Sequence, residues 1–182
     1  AQIERVADAQ PHARMFVMYG QTEATSRIAY LPPDRLADKL GSVGVAVPGM
    51  TIRVAGEDGS SVAAGEVGEI RVSGAGVTHG YWAEPEATAE KYVGDELRTG
   101  DFGRLDEDGF LYVVDRRDDF IKSWGYRVSS HEVEDAALEL PEVAAAAAVG
   151  RPDPEAGEAG VLFVAGRPGT PLGAGGVPRP PP

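Results

Sequence analysis

The chain has 182 residues, 42% hydrophobic and 25% charged, a globular composition large enough for one domain or one and a part. Its 17 Lys and Arg face 29 Asp and Glu, and the net charge of −12 repels polyanions, which argues against nucleic-acid or anionic-membrane partners. The absence of cysteine excludes a disulfide framework, a thiolate metal site and a cysteine nucleophile. No apolar run approaches a membrane span and nothing resembles a signal peptide, so a soluble cytoplasmic protein is expected.

Arg14 to Tyr19 is a short apolar run broken by Gly20, read as a buried strand that delivers Gln21-Thr22-Glu23 to its C-terminal end. In open α/β folds ligands bind at that end. From Gly41 to Val114 short runs alternate with glycine-rich breaks. Thr51–Val54 and Glu69–Val72 alternate with period two around Asp58-Gly59, and Phe102–Leu105 and Phe110–Val114 flank Asp108-Gly109. Asp-Gly between alternating runs signals a hairpin, so the middle of the chain is predicted to be antiparallel β. Within Trp82–Tyr92, Pro85 is placed to start a short helix.

Farther on, Ser129-x-x-Glu132 fits a capping box, with Val133, Ala137 and Leu140 on one helical face before Pro141. The alanine-rich Val143–Val149 favours helix by propensity, but Pro141 and Gly150-Arg151-Pro152 leave room for only about two turns, which are marginal alone. A strand is expected there, and a second at Gly160–Ala165. From Gly166 onward 11 of 17 residues are Gly or Pro, and this tail is expected to be disordered.

Three blocks stand in a telling order: Tyr19-Gly20-Gln21-Thr22-Glu23, then Arg98-Thr99-Gly100-Asp101, then Asp115-Arg116-Arg117-Asp118-Asp119-Phe120-Ile121-Lys122-Ser123-Trp124-Gly125-Tyr126-Arg127-Val128. Together they resemble the AMP-forming adenylate synthetases: acyl-CoA synthetases, peptide-synthetase adenylation domains and firefly luciferase. The likeness runs from about Phe16 to about Val164 and also favours a strand at Val143–Val149. It implies a mixed α/β (α+β) fold in three parts. Residues 1–115 would form the C-terminal part of a large AMP-binding domain with an antiparallel β subdomain, 116–165 an incomplete small α+β domain after a hinge, and 166–182 the tail. The chain is expected to be an internal piece of such an enzyme.

The reaction implied is attack of a carboxylate on the α-phosphate of ATP, giving acyl-adenylate, followed by transfer of the acyl group to coenzyme A. Such a displacement asks a protein mainly for positioning and charge neutralisation. By resemblance Tyr19 would stack on adenine beside Gly20, Thr22 would bind a phosphate oxygen, and Glu23 would ligate Mg²⁺. Thr22 and Glu23 are thus the catalytic candidates; the alternative is a Thr-Glu pair capping a helix. Asp101 would take both ribose hydroxyls, or else satisfy its own turn, and Arg116 would complete the ribose or phosphate contact. Asp118 would be the hinge. Gly125 would let backbone approach the pantetheine arm, or be a plain turn glycine. Lys122 and Arg127 would bind phosphate of ATP or coenzyme A, or be solvated charges. His12, His79 and His131 lack metal-ligand spacing and receive no role, His131 being expected at the surface.

Tyr-Gly-Gln-Thr-Glu leans toward an acyl-CoA synthetase and away from peptide-synthetase domains, which tend to show Tyr-Gly-Pro-Thr-Glu; a carrier-protein acceptor is not favoured. The partners expected are a small carboxylic acid, ATP and coenzyme A. The family's phosphate-cradling loop precedes the first residue here, and no lysine follows Lys122 where the family has a late catalytic one. The polypeptide by itself is therefore expected to be inactive, and a non-catalytic remnant with weak nucleotide binding stands as the contrasting reading.

Overall fold

The computed structural model describes residues 2–116 and 119–170. They form two compact units, one ending at Val114 and the other beginning at Asp115. In the first unit the order is α1 (Gln2–Ala9), β1 (Val17–Tyr19), β2 (Ala29–Leu31), β3 (Val45–Ala46), β4 (Met50–Ala55), β5 (Gly68–Gly74), α2 (Pro85–Lys91), β6 (Tyr92–Val93) and β7 (Glu96–Leu105). Strand β8 (Leu111–Arg116) leads into the second unit, which holds β9 (Phe120–Ser123), β10 (Tyr126–Ser129), α3 (Ser130–Leu138), β11 (Val143–Asp153) and β12 (Gly157–Gly166). Helix α1 had no counterpart among the sequence expectations. The predicted class holds, with mostly antiparallel sheets and few helices.

Two sheets build the first unit. One is three-stranded in the order β1-β2-β3; in the other β5 lies between β4 and β7, and β6 and β8 both pair with β7. The period-two runs seen in the sequence place Ile70, Val72 and Leu97 inward, where they join Ala24, Ile28 and Leu111 in one core cluster, each no more than 1% exposed. Truncating Leu97 to alanine there costs about 2–5 kcal/mol. Where Arg71 and Arg98 stand directly opposite each other across β5 and β7, Glu69 and Glu96 neutralise the like charges. Arg53 grips Glu96 with two 2.5 Å bonds from β4.

Three sequence expectations for this unit are corrected. The strand at Arg14–Tyr19 is shorter and less buried: only Val17–Tyr19 is regular, it lies at a sheet edge, and Phe16 and Met18 are exposed. Asp58-Gly59 does not join β4 directly to β5. Its turn brings Ser61 back against Ala55 and Val62 against Val54, and the chain then travels to Gly68. Asp101 is not in a turn but inside β7, whereas Asp108-Gly109 does turn β7 into β8, with Asp106 bonded to Phe110 in both directions.

The second unit is a four-stranded sheet, β10-β9-β12-β11, with α3 following β10. The alanine run is strand, paired along nearly its whole length with β12. Both strands exceed the predicted spans because the hairpin continues to a turn at Pro154–Ala156, where Asp153 accepts from the Glu155 and Ala156 amides. Ser129 caps α3 by accepting from the Glu132 amide at 3.3 Å. Ala137 is buried and Val133 and Leu140 half-buried, the face expected. Of the tail, Gly166 closes β12 and Arg167 bonds Glu142 and Pro141, so order extends past the predicted boundary. Residues 171–182, on which the rest of that expectation falls, lie outside the described residues.

Candidate functional site

The first sequence block ends in a tight reversal. A side chain at Gly20 would place its Cβ 2.2 Å from the Ser26 carbonyl oxygen, so only glycine lets the chain fold back here. The reversal is held by the Ile28 amide donating to Tyr19 O and the Ser26 amide to Gln21 O. It presents Thr22, Glu23 and Ala24 as one turn of 3-10 helix over the buried Ala24. Neither Thr22 nor Glu23 caps that turn, because its N-cap is Gln21 and carries no side-chain bond; the capping alternative falls. The Gln21 Nε2 is buried without a hydrogen-bond partner, an orphaned donor next to the two candidate residues.

The second block is a bulge in β7. Opposite the short step from Glu69 to Arg71 on β5, β7 spans Phe102 to Arg98, and Gly100 takes φ +80° within that excess length. Thr99 stabilises the bulge, its hydroxyl donating to Ile70 O at 2.7 Å and accepting from the Asp101 amide at 3.1 Å. The result turns the Asp101 carboxylate, 6% exposed, toward β1, where Tyr19 Oη donates to it at 2.6 Å. Residues 82 positions apart are thereby joined.

Glu23 is held as firmly. Tyr81 Oη donates to its Oε1 at 2.5 Å, and the Thr78 amide and hydroxyl both donate to its backbone oxygen, at 2.8 and 3.1 Å. The Tyr81 bond is the main reason the Glu23 carboxyl titrates below its ordinary value, with the Lys91 charge adding to it. The same bond pushes the Tyr81 phenol up to about 12. Lys91, at the end of α2, donates to Thr99 O at 3.2 Å, and its charge also acts on Glu23. Neither Tyr81 nor Lys91 was singled out in the sequence. Their only local signal was position, one before and one after the Pro85 helix start.

The profile of the AMP-binding enzyme family matches residues 1–82, and that of the AMP-binding enzyme C-terminal domain matches residues 132–175. The chain belongs to the AMP-forming adenylate synthetases. It is 43% identical over 146 residues to the feruloyl-CoA synthase of an Amycolatopsis species, covering 80% of this chain and 30% of that protein. The 2-succinylbenzoate–CoA ligase of Geobacillus kaustophilus is 44% identical over 150 residues, or 82% of this chain and 30% of the ligase. Among solved structures, o-succinylbenzoate CoA synthetase from Bacillus subtilis in complex with its acyl-adenylate superposes with TM-score 0.84 at 34% identity, covering 96% of this chain and 35% of that one. The chain thus spans about a third of the length of these synthetases.

The remaining candidates of this family member lie in its second unit. Arg116 is exposed at the end of β8, its amide donating to Asp115. The hinge candidate Asp118 lies outside the described residues. Lys122 and Arg127 stand directly opposite each other on the β9–β10 hairpin, both exposed. Trp124 (φ 52°) and Gly125 (φ +80°) make its two-residue turn. Nothing lies within 4 Å of where a Gly125 Cβ would be, so this glycine serves the turn and leaves open space beside it. His131 is exposed as expected, though its Nδ1 lies 3.2 Å from the buried Asp115 carboxylate. No described helix is long and apolar enough to cross a membrane.

Proposed function

We propose that this chain supplies the nucleotide-holding loops and the thioester-step hairpin of an ATP-dependent acid–thiol ligase, which activates a carboxylic acid as acyl-adenylate and transfers it to coenzyme A. The observation that carries the reading is the Tyr19–Asp101 bond, which brings the first two sequence blocks into one site. Asp101, buried and oriented by the Tyr19 phenol, accepts the ribose hydroxyls, and Tyr19 presents its ring to adenine. Thr22, exposed on the 3-10 turn, donates to a phosphate oxygen.

Glu23 fits a magnesium ion: it is a hard oxygen donor kept anionic by Tyr81, and magnesium bound with substrate phosphates takes only one or two protein carboxylates. When bound, the metal neutralises charge on the phosphates. An orphaned donor on Gln21 and the Lys91 cation add positive potential where the chain as a whole is negative. Preorganised groups of this kind are what stabilise a developing charge. In the second unit, Lys122 and Arg127 on one exposed hairpin face bind phosphate of coenzyme A, and the open space at Gly125 admits the pantetheine arm. Arg116 adds a ribose or phosphate contact, and Asp118 acts as pivot. A cytoplasmic location fits a protein that draws on ATP and coenzyme A.

Curated relatives that use coenzyme A favour a thiol acceptor. An amide bond synthetase from Marinactinospora thermotolerans also superposes, with TM-score 0.81 at 39% identity over 93% of this chain and 36% of its own, which makes an amine the competing acceptor. The test is a chimera in which residues 14–116 replace the matching segment of the Bacillus subtilis synthetase. ATP–pyrophosphate exchange is retained in the chimera and falls about tenfold to several hundredfold in Asp101→Ala, the worth of one or two charge-assisted bonds. Exchange unchanged by that substitution would remove Asp101 from the site.

A further inference from the structure

Among the described residues, the segment from Thr78 to Tyr92 is bound to the 3-10 turn at Thr22–Ala24 more closely than a connecting loop requires. Thr78 reaches Glu23 O with both its amide and its hydroxyl, and that hydroxyl lies 2.6 Å from Tyr92 Oη. The Tyr81 ring meets the Tyr92 ring edge-on, with centroids 6.1 Å apart and planes at 77°. Tyr81's own backbone is fixed by Thr88 of α2, whose hydroxyl accepts from the Tyr81 amide at 2.9 Å and donates to Glu84 O at 2.7 Å. Thr88 and Tyr92 both meet Tyr81, and the Tyr81 hydroxyl ends at Glu23. Hydrophobicity does not explain the placement, since the neighbouring Trp82 is 95% exposed while Tyr81 is half-buried.

We propose that Tyr81 is a positioning residue for Glu23: its hydroxyl occupies one carboxylate oxygen and fixes the side chain, leaving the second oxygen to take the metal of a metal–nucleotide complex. The inference rests on the assignment of Glu23 as metal ligand made above. A carboxylate that ligates a metal is weakened as a ligand when its own hydrogen-bond partner is lost, by about 10–100-fold in metal affinity. The phenol does this without adding charge, so it orients Glu23 without competing for the cation.

The experiment measures Mn²⁺ binding by electron paramagnetic resonance to the complete 182-residue chain with α,β-methylene ATP, alongside metal-free AMP binding by calorimetry. Tyr81→Phe keeps the ring and its contact with Tyr92 and removes only the hydroxyl. Expected is a loss of about 10–100-fold in Mn²⁺ affinity, with AMP affinity within about twofold of the parent. Thr88→Val, which loosens the turn but keeps the phenol, shows the same split at smaller amplitude and stands in should Tyr81→Phe fail to fold. Equal loss of Mn²⁺ and AMP binding, or no loss of either, overturns the positioning role. Glu23→Gln separates the two levels: if it leaves Mn²⁺ binding intact, or if the unsubstituted chain binds no Mn²⁺ with nucleotide, the site assignment itself fails. If Glu23→Gln weakens Mn²⁺ binding and Tyr81→Phe does not, only the inference about Tyr81 fails.

Discussion

The two units secure their key acidic groups in opposite ways. In the first, Asp101 and Glu23 are held by phenols 82 and 58 residues away in sequence. In the second, Asp115 is held by its near neighbours. The Ser129 hydroxyl, the Ser130 amide and the Arg116 amide all donate to it, at 2.7, 3.0 and 2.8 Å, the farthest of them 15 residues away. Asp115 closes the start of α3, taking the hydroxyl of the N-cap Ser129 and the free first-turn amide of Ser130; it is a structural group. Distant partners make the first site dependent on the whole unit folding, while a local hydrogen-bond set needs only its own turn and helix.

That contrast can be broken most directly at Asp115. Asp115→Ala leaves a buried hydroxyl and two amides unmatched, at about 1–3 kcal/mol each with partial relief by water, so the second unit loses about 2–4 kcal/mol. Hydrogen exchange should show the loss in α3 and β9–β10 and leave β4–β7 protected; loss spread evenly over both units would contradict the division. Asp101→Asn keeps the shape of its bulge and costs about 1–2 kcal/mol of AMP binding, with little change in melting temperature. An Asp101 variant that melts the first unit but binds AMP normally would make Asp101 a structural group like Asp115.

A smaller effect concerns acid. The Arg53 bond holds the Glu96 carboxyl below its ordinary value of 4.5. Its folded value lies under the unfolded one, so this stabilisation is complete above about pH 5 and lost as pH falls through the folded value. With the two side chains 27% and 23% exposed, solvent screening limits it to about 1 kcal/mol. Glu96→Gln should flatten the acid limb of the first unit's stability curve by that amount, read by urea unfolding between pH 3 and about pH 6; an unchanged limb assigns acid sensitivity elsewhere. The smallest change is at the β9–β10 turn, where Trp124 sits at φ 52°. Trp124→Gly relieves a conformation that costs a bulky residue about 1 kcal/mol and should stabilise the second unit by up to that much. A destabilised variant would mean that the exposed indole makes contacts the turn needs.

Legibility in the sequence followed the same division. The capping serine, the helical face of Val133 and Ala137, and the strand at the alanine run were visible because each rests on residues within a few positions, read through period, caps and proline placement. The β9–β10 hairpin escaped because its turn is Trp124-Gly125, outside the Asp-Gly and Asn-Gly pairs that announce such turns. In the first unit the three blocks were legible as words but not as a site. Asp101 read as a turn residue because Thr-Gly-Asp favours turns locally, and only pairing with β5 makes it a bulge. Tyr81 could not be found at all, since nothing near it in the chain indicates Glu23.

By itself, then, the sequence determined the strand and helix periods, the family blocks and the excess of acid over base, all carried by local backbone preference and residue identity. Tertiary structure decided which side chains meet. Burial of Ile70, Val72 and Leu97 locks the register of β5 and β7, that register forces Thr99–Asp101 out as a bulge, and the bulge turns Asp101 to Tyr19. Hydrogen bonds that close loops of such length form only when the core has already brought their ends together, which is why no local pattern foretells them.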